Sequence, residues 1–433
     1  MNSVKVAIVG FGTIGSGVAK LLLEQGDRVA RHAGRRVELA RVVDKDLARP
    51  RNFSLPAGLL TDDVETVLND PSIQCVVQLI GGLEPERSIM LRMLAAGKDV
   101  VTANKALLAE HGPELFDRAR ELGRTIAFEA AVAGGIPIIA AINESLTANQ
   151  VQSIHAILNG TSNFILTQME EQQWAYAVAV AEAQKLGYAE ANPAMDVNGS
   201  DAAQKLAILA HLAFGARVNW REIPRIGIDT VDIADIRYAR ELGYRIKLLA
   251  VADLGPEGLE LHVSPTLVRH AAPLAEVRGA FNAIRVVGDA VGRVFFQGLG
   301  AGQMPTASAV VADLISTIVG RTAITFRTLE LWSSARAAPF APRDPAKVTG
   351  RFYLRFKVDD RPGVMAEIAG LLGQHRISIA SIIQHETTAE GDGVVPLIIM
   401  THNAGEGAVA EALERINRLG CVHPGTVRMR VRD

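Results

Sequence analysis

Apolar and polar residues along the first 130 positions alternate between two periods. Val4 to Val9 is an unbroken Val/Ile-rich run, and after a glycine turn GVAKLLLEQG follows at helical spacing. A second strand, Val37 to Val43, comes next, then a helical TDDVETVLND, a buried strand CVVQLI, a helix from Glu86 to Ala96 and the strand DVVTAN. Another helix and the strand TIAFEAAV close this region. Strands alternating with helices predict a parallel, doubly wound sheet with ligand sites at the strand C-terminal ends. Beyond residue 240 the rhythm changes. RIKLLAVADL, GPEG and LELHVSPTLV read as a hairpin and IRVVGDAVGRVFFQG as another, so an antiparallel sheet with helices on one face is expected, with room to bury a partner subunit. Pro339, Pro342 and Pro345 mark a linker. After it, RFYLRFKV, a helix from Pro362 to Gln374, ISIASIIQHE, VVPLIIMTH, a helix near Gly407 to Arg418 and TVRMRVR give a ferredoxin-like βαββαβ order.

Residues 186–215, LGYAEANPAMDVNGSDAAQKLAILAHLAFG, place charge inside apolar sequence. They read as a loop feeding a helix, with Ser200 as N-cap, Asp201 in the first turn and Gly215 as the stop. The helix is apolar nearly all round, which predicts burial. Asp201 and Lys205 lie four apart on one face, and the preceding loop adds Glu190 and Asp196. An ordinary ion pair and a proton-transfer site both fit this spacing.

Gly10, Phe11, Gly12, Thr13, Ile14 and Gly15 form G-x-G-x-x-G between the first strand and helix, where glycines admit a pyrophosphate to the helix N-terminus. Asp44 ends the second strand, where an acid takes the ribose hydroxyls of NAD. Lys45 and Arg49 follow, as suits NADP, so either cofactor is compatible. The distance from glycines to Asp44 predicts a long turn after the first helix. Gly81-Gly82 and Asn104-Lys105 also fall at strand C-terminal ends, which places Lys105 at the mouth of the cofactor cleft. Around Glu129, the turn Ala133, Gly134, Gly135, Ile136, Pro137 is read either as a cation-binding set of carbonyls or as a plain helix lead-in. Asn159 to Asn163 are small hydrogen-bonding residues capping a helix, and Gly298 to Gly302 are a second glycine-rich lead-in.

A length of 433 residues supports two to four domains. The lack of a long uncharged apolar run argues against a membrane span, and MNSVKVAIVGFG enters a strand directly, which points to the cytoplasm. Two cysteines, Cys75 and Cys421, give neither a disulfide framework nor a zinc site. With a formal charge of −2 no nucleic-acid partner is indicated, and RHAGRR near residue 31 reads as a solvated turn.

Six ordered motifs carry a resemblance to homoserine dehydrogenase over essentially the whole chain: GFGTIG from Gly10, VTANKALLA from Val101, FEAAVAGGIPII from Phe128, ILNGTSNFIL from Ile157, LGYAEANPAMDVNGSDAAQKLAILA from Leu186 and GLGAGQMPTASAVVADL from Gly298. DRPGVMAEIAGLLGQHRISIASIIQ from Asp360 resembles an ACT domain. The resemblance implies a Rossmann-type dinucleotide-binding domain over 1–135, with 300–325 packing back on it. It further implies an α+β catalytic and dimerisation domain over 136–338, a linker over 339–350 and an ACT domain over 351–433. It implies reversible reduction of aspartate 4-semialdehyde to homoserine with NAD(P)H, on the route to threonine, methionine and isoleucine. Lys205 then matches the proton donor and acceptor, Asp201 its partner, and Lys105 a lysine at the junction of cofactor and substrate. Glu190 and Asp196 match acids near the substrate ammonium, while Gly160, Thr161 and Tyr188 match pocket residues. The cofactor set is Gly10 to Gly15 with Asp44, Lys45, Gly81, Lys105 and Gly302. Glu129, with carbonyls of Val132, Gly134 and Ile136, matches a monovalent-cation (Na+) site. Threonine is the implied effector and a homodimer or homotetramer the implied assembly. Truncation after Pro345 is expected to spare catalysis and abolish threonine inhibition. A phosphorylating aldehyde dehydrogenase needs a nucleophilic cysteine, which neither Cys75 nor Cys421 suits. A non-catalytic sensor would not need the Asp201 and Lys205 pair.

Overall fold

From Val6 to Val9 every residue of β1 (Ser3–Val9) is buried, as a strand covered on both faces requires. This computed structural model describes residues 3–51, 53–385 and 393–432. Met1 and Asn2 of the N-terminal reading, and Glu386 at the end of ISIASIIQHE, lie outside the described residues. The chain divides into two compact units. One comprises Met1–Gln152, Gln204–Glu222 and Asn282–Ala341, and the other Ser153–Ala203, Ile223–Phe281 and Pro342–Asp433.

In the first unit β1 lies between β2 (Arg36–Val43) and β4 (Ile73–Gln78), parallel to both. With β3 (Leu60–Thr61), β5 (Asp99–Thr102) and β6 (Ile126–Ala127) the sheet order is β3-β2-β1-β4-β5-β6. The order reverses direction between β1 and β4, and a crevice at such a switch point, beyond the strand C-terminal ends, is where this fold holds ligands. Val6, Ile8, Val18, Val42, Val77 and Val101 form its core with Ala307, Val310 and Leu314 of the helix Gln303–Ile318. That helix lies against the helix Thr13–Glu24, where a Cβ on Gly17 would stand 2.9 Å from Gln303 Cγ.

Three local expectations change. The long turn before Asp44 contains a second helix, Gly26–Ala33, so RHA is a helical last turn that ends at left-handed Gly34. Its buried Val29 and Ala33 face the sheet core, which explains why this polar segment is ordered. TDDVETVLND is helical only over Glu65–Leu68. TIAFEAAV is a strand only at Ile126–Ala127 and then tightens into a 3-10 turn, Glu129–Ala131.

The second unit contains most of β7 (Val151–Ile157), with β8 (Tyr244–Gly255) and β9 (Gly258–Arg269). β8 and β9 pair along their full length across a two-residue turn that ends at Gly258, φ +118°. The first unit carries β10 (Phe281–Gly288) from Asn282 onward, with β11 (Gly292–Leu299) hydrogen-bonded to it. In the C-terminal region β12 (Thr349–Asp359) pairs with β14 (Val394–Thr401), which pairs with β13 (Ile379–Ile383). A short β15 (Ala404–Gly405) also lies on β12. β16 (Val422–Arg432) flanks β12 on its other side, completing the expected ferredoxin-like sheet. The proline-bounded segment was expected to isolate this region, yet β16 also pairs in parallel with β9, Arg430 opposite Thr266. Glu260 on β9 accepts from Arg430 at 2.7 Å and Arg432 at 2.8 Å. Edge-strand pairing gives the backbone groups of β9 partners that a solvated linker would not supply.

Candidate active site

The glycine turn answers a steric demand. Gly10 sits at φ +105° with no room for a Cβ against Leu79, and a Cβ on Gly15 would be 2.1 Å from Gly10 O. Gly12 meets nothing within 4 Å and opens the first turn of the helix Thr13–Glu24, so bare backbone there is free to approach an anion. Phe11 is buried, Thr13 exposed and Ile14 half-buried. These features fit a dinucleotide pyrophosphate. Asp44 reaches this turn, its Oδ2 accepting the Phe11 N–H at 2.7 Å, while Lys45 is exposed. Gly81 and Gly82 follow β4. Asn104, after β5, donates to the carbonyls of Ile80 at 3.1 Å and Gly82 at 2.7 Å. Its Oδ1 caps Leu107 N at 3.1 Å, so the same side chain starts the helix Lys105–Glu121 with half-buried Lys105 as its first residue. Gly302, at φ +121°, precedes the helix Gln303–Ile318, and Gln303 donates to Thr13 O at 2.9 Å.

In the second unit two of the candidate acids converge on one side chain. Asn159 donates to Asp196 at 2.8 Å and to Asp201 at 2.9 Å, and its Oδ1 caps Ser162 N at 2.7 Å. Gly160 and Thr161 occupy the first turn of the helix Gly160–Gln172, and Thr161 donates to Tyr188 O at 2.6 Å. Tyr188 packs on Phe164 and is exposed, as is Glu190. Asn159, not among the candidates, therefore holds two of them, Asp196 and Asp201, and caps the helix that begins with two more, Gly160 and Thr161. Its signal in sequence was only the capping pattern.

The helix Ser200–Phe214 begins at Ser200 itself, one residue earlier than expected, and ends at Gly215, φ +64°. Ala203, Leu206, Ile208, Leu209 and Ala210 are wholly buried and Asp201 is 7 % exposed, whereas Lys205 is half-buried. The helix therefore carries a shielded acid and, one turn on, a partly accessible amine.

Behind the network Asn163 donates to the carbonyls of Val277 and Gly279 at 3.1 and 2.8 Å, and accepts from buried Lys247 at 3.2 Å. Burial lowers the Lys247 pKa to about 8.

Glu129 is buried, and its oxygens accept the N–H groups of Ile139 at 2.9 Å and Ala140 at 2.8 Å. Burial raises its pKa to about 7. Its own N–H donates to Asp313 at 2.7 Å, and Asp313 is also pushed well up by burial. Val132, Gly134 and Ile136 lie in the following turn, and the Ile136 carbonyl accepts from Ile138 N at 2.8 Å. A cavity of about 530 Å³ beside it is lined by Phe128, Glu129, Glu144, Asp313 and Phe326 among others. Among the described residues no group of three or more His, Cys, Asp or Glu side chains could hold a metal ion. Asp313 was legible only as a lone acid in an apolar helix.

Family models agree with the motif reading. One described as "Homoserine dehydrogenase" matches residues 137–315, one described as "Homoserine dehydrogenase, NAD binding domain" matches 10–129, and one for the ACT domain matches 352–421. The homoserine dehydrogenase of Pseudomonas aeruginosa is 44% identical, covering 100% of this chain and 99% of the relative. That of Synechocystis is 42% identical, with 99% of each covered. The crystal structure of a homoserine dehydrogenase from Thiobacillus denitrificans has a TM-score of 0.93 at 41% identity, covering 100% of this chain and 99% of that one. The chain, an oxidoreductase with a dinucleotide-binding domain and a C-terminal ACT domain, therefore belongs to the homoserine dehydrogenase family.

Proposed function

We propose that Lys205 carries the proton in the reversible interconversion of L-homoserine and L-aspartate 4-semialdehyde. A nicotinamide dinucleotide, when bound, supplies or accepts the hydride. Gly10 to Gly15, Asp44, Lys45, Gly81, Lys105 and Gly302 are the residues that would hold it. Lys205 as ammonium gives its proton to the developing alkoxide and takes it back in the oxidation direction. Asp201 is its partner in the substrate pocket, and Asn159 orients Asp201. Asp196 and Glu190 supply negative charge for the substrate ammonium, Gly160, Thr161 and Tyr188 line its pocket, and Lys105 orients the reacting end. The single observation carrying this reading is that one carboxamide, Asn159, holds both Asp196 and Asp201.

The finer assignments rest on the same footing. Residues 1–135, with 300–325 packed against them, form the dinucleotide-binding domain, 136–338 the substrate and dimerisation domain, and 351–433 the regulatory domain. The C-terminal ACT domain is what supports threonine as feedback effector; in the Asp360 to Gly363 turn the N–H groups of Asp360 and Arg361 are taken by Gly393 O and Asp359 O. Glu129 with the carbonyls of Val132, Gly134 and Ile136 holds a monovalent cation, for which the buried acid is the support. The enzyme works in the cytoplasm as a homodimer or homotetramer.

The test is the oxidation of homoserine by purified enzyme with each oxidised dinucleotide, read as reduced nicotinamide absorbance, with and without threonine. Homoserine-dependent reduction is expected, and a protein that binds dinucleotide but reduces none refutes the assignment.

A further inference from the structure

The loop after β2 is latched onto the glycine turn by Arg51, a residue that no sequence motif singled out. Its Nε donates to Phe11 O at 3.0 Å, and its Nη1 to the carbonyls of Arg49 at 3.0 Å and Leu47 at 3.3 Å. Nη2 donates to Asp46 O and stands 3.5 Å from Asp44 Oδ1. The guanidinium lies 5.1 Å from the centre of the Phe11 ring, and the side chain is 8% exposed. The guanidinium thus makes four hydrogen bonds to backbone carbonyls and one ion pair. Asp44 is held as firmly: Oδ2 by Phe11 N at 2.7 Å and Oδ1 by Asp46 N at 3.0 Å, besides Arg51.

We propose that Asp44, fixed in place by Arg51, makes this enzyme select NAD(H) over NADP(H), with Arg51 the positioning residue for that choice. The inference rests on the dinucleotide reading of the glycine turn. An acid at the end of β2 faces the adenosine ribose in this fold and accepts from its hydroxyls. A 2′-phosphate would put like charge against a carboxylate that backbone N–H groups prevent from swinging away. Only a nearby cation relieves that repulsion. Arg51 is committed to four backbone carbonyls and to Asp44 itself, and Lys45 and Arg49 are exposed, where water and salt screen them.

Titration of the full-length enzyme separately with NADH and NADPH, read by the fluorescence of the bound dihydronicotinamide or by calorimetry, measures the preference without turnover. NADH is expected to bind at least about tenfold more tightly. Asp44→Asn should bring the ratio of the two dissociation constants near one. Arg51→Met should weaken NADH more than NADPH, and Arg51→Lys, with three donors and no fork, should recover only part of the ratio. A purely structural role for Arg51 would weaken both ligands equally and overturns its part in the choice. Wild-type binding of NADPH as tight as NADH, or a ratio unchanged in Asp44→Asn, overturns the proposal. Binding of neither dinucleotide overturns the reading of the glycine turn itself.

Discussion

The side-chain amide of Asn159 donates to the buried carboxylate of Asp201 at 2.9 Å, so the acid in the first turn of the helix Ser200–Phe214 is oriented by a residue 42 positions earlier. The same amide reaches Asp196, while the carbonyl end caps a helix. Asn159→Ala is expected to lower kcat/KM for homoserine roughly 10- to 100-fold, ~1.4–2.8 kcal/mol of transition-state binding, and to lower stability by about 1 kcal/mol through the lost cap. Asn159→Ser keeps a capping oxygen without the amide donor. Stability should recover in that variant and kcat/KM should not, as steady-state kinetics and thermal melting would read.

Lys205 is the one amine on the helix that also bears Asp201. Lys205→Ala should reduce kcat by two or more orders of magnitude, in the range of about 10²–10⁴ that positioned proton transfer contributes. Dinucleotide affinity should remain unchanged. Near-normal turnover would remove Lys205 from the mechanism.

His211 accepts the N–H of Trp332 at Nε2, donates from Nδ1 to Ala216 O at 3.1 Å and stacks on the Trp332 ring, and burial lowers its pKa to about 4. The folded pKa lies below the ordinary value of 6.5, so the unfolded chain binds more protons between them. The contribution of His211 is therefore complete above pH 6.5 and is lost as pH falls toward 4, a change of about 3 kcal/mol. Urea unfolding across this window should show a shallower pH dependence in His211→Gln than in wild type. Parallel curves would mean that His211 titrates normally.

Asp235 is wholly buried and binds Arg355 through two hydrogen bonds, 2.6 and 3.0 Å, and the Tyr353 hydroxyl at 2.9 Å. Asp235→Ala leaves a buried guanidinium unpaired and should cost about 3–5 kcal/mol in denaturant unfolding. A loss under about 1 kcal/mol would show that Arg355 finds another partner or water.

Removal of the chain beyond Pro345 takes away β16, and with it the strand paired to β9 and the two arginines on Glu260. Truncation therefore carries a structural cost to β9 besides the loss of the effector module. The truncated protein should melt at lower temperature and self-associate, as calorimetry and light scattering would read. Substitution of Asp360 in the first turn is the gentler test of effector binding. A truncated enzyme as stable as the full chain would show that β9 does not need β16.

The doubly wound sheet was legible because unbroken apolar strands and helical repeats have distinct periods. The glycine turn was legible because only glycine meets its steric demand. The ferredoxin-like order of the last 80 or so residues could be read the same way. Tertiary contact was not legible where the local pattern carries no trace of its partner. Nothing in the spacing around Arg51 points to Phe11, forty residues away, and nothing in TVRMRVR distinguishes a free edge from one paired with β9. The second helix before Asp44 was missed because its polar surface outweighs two buried residues, Val29 and Ala33.

Local sequence by itself therefore determined most of the strands, helices and turns, though not the helix Gly26–Ala33, and which residue types are present for hydride and proton chemistry, since these depend on nearest neighbours and steric volume. Only the folded chain decided that Asn159 gathers Asp196 and Asp201, that Asp44 is locked to the glycine turn, and that the C-terminal sheet continues into β9. Those are pairings between groups distant in sequence, whose energies exist only once the backbone has brought donor and acceptor within hydrogen-bond reach.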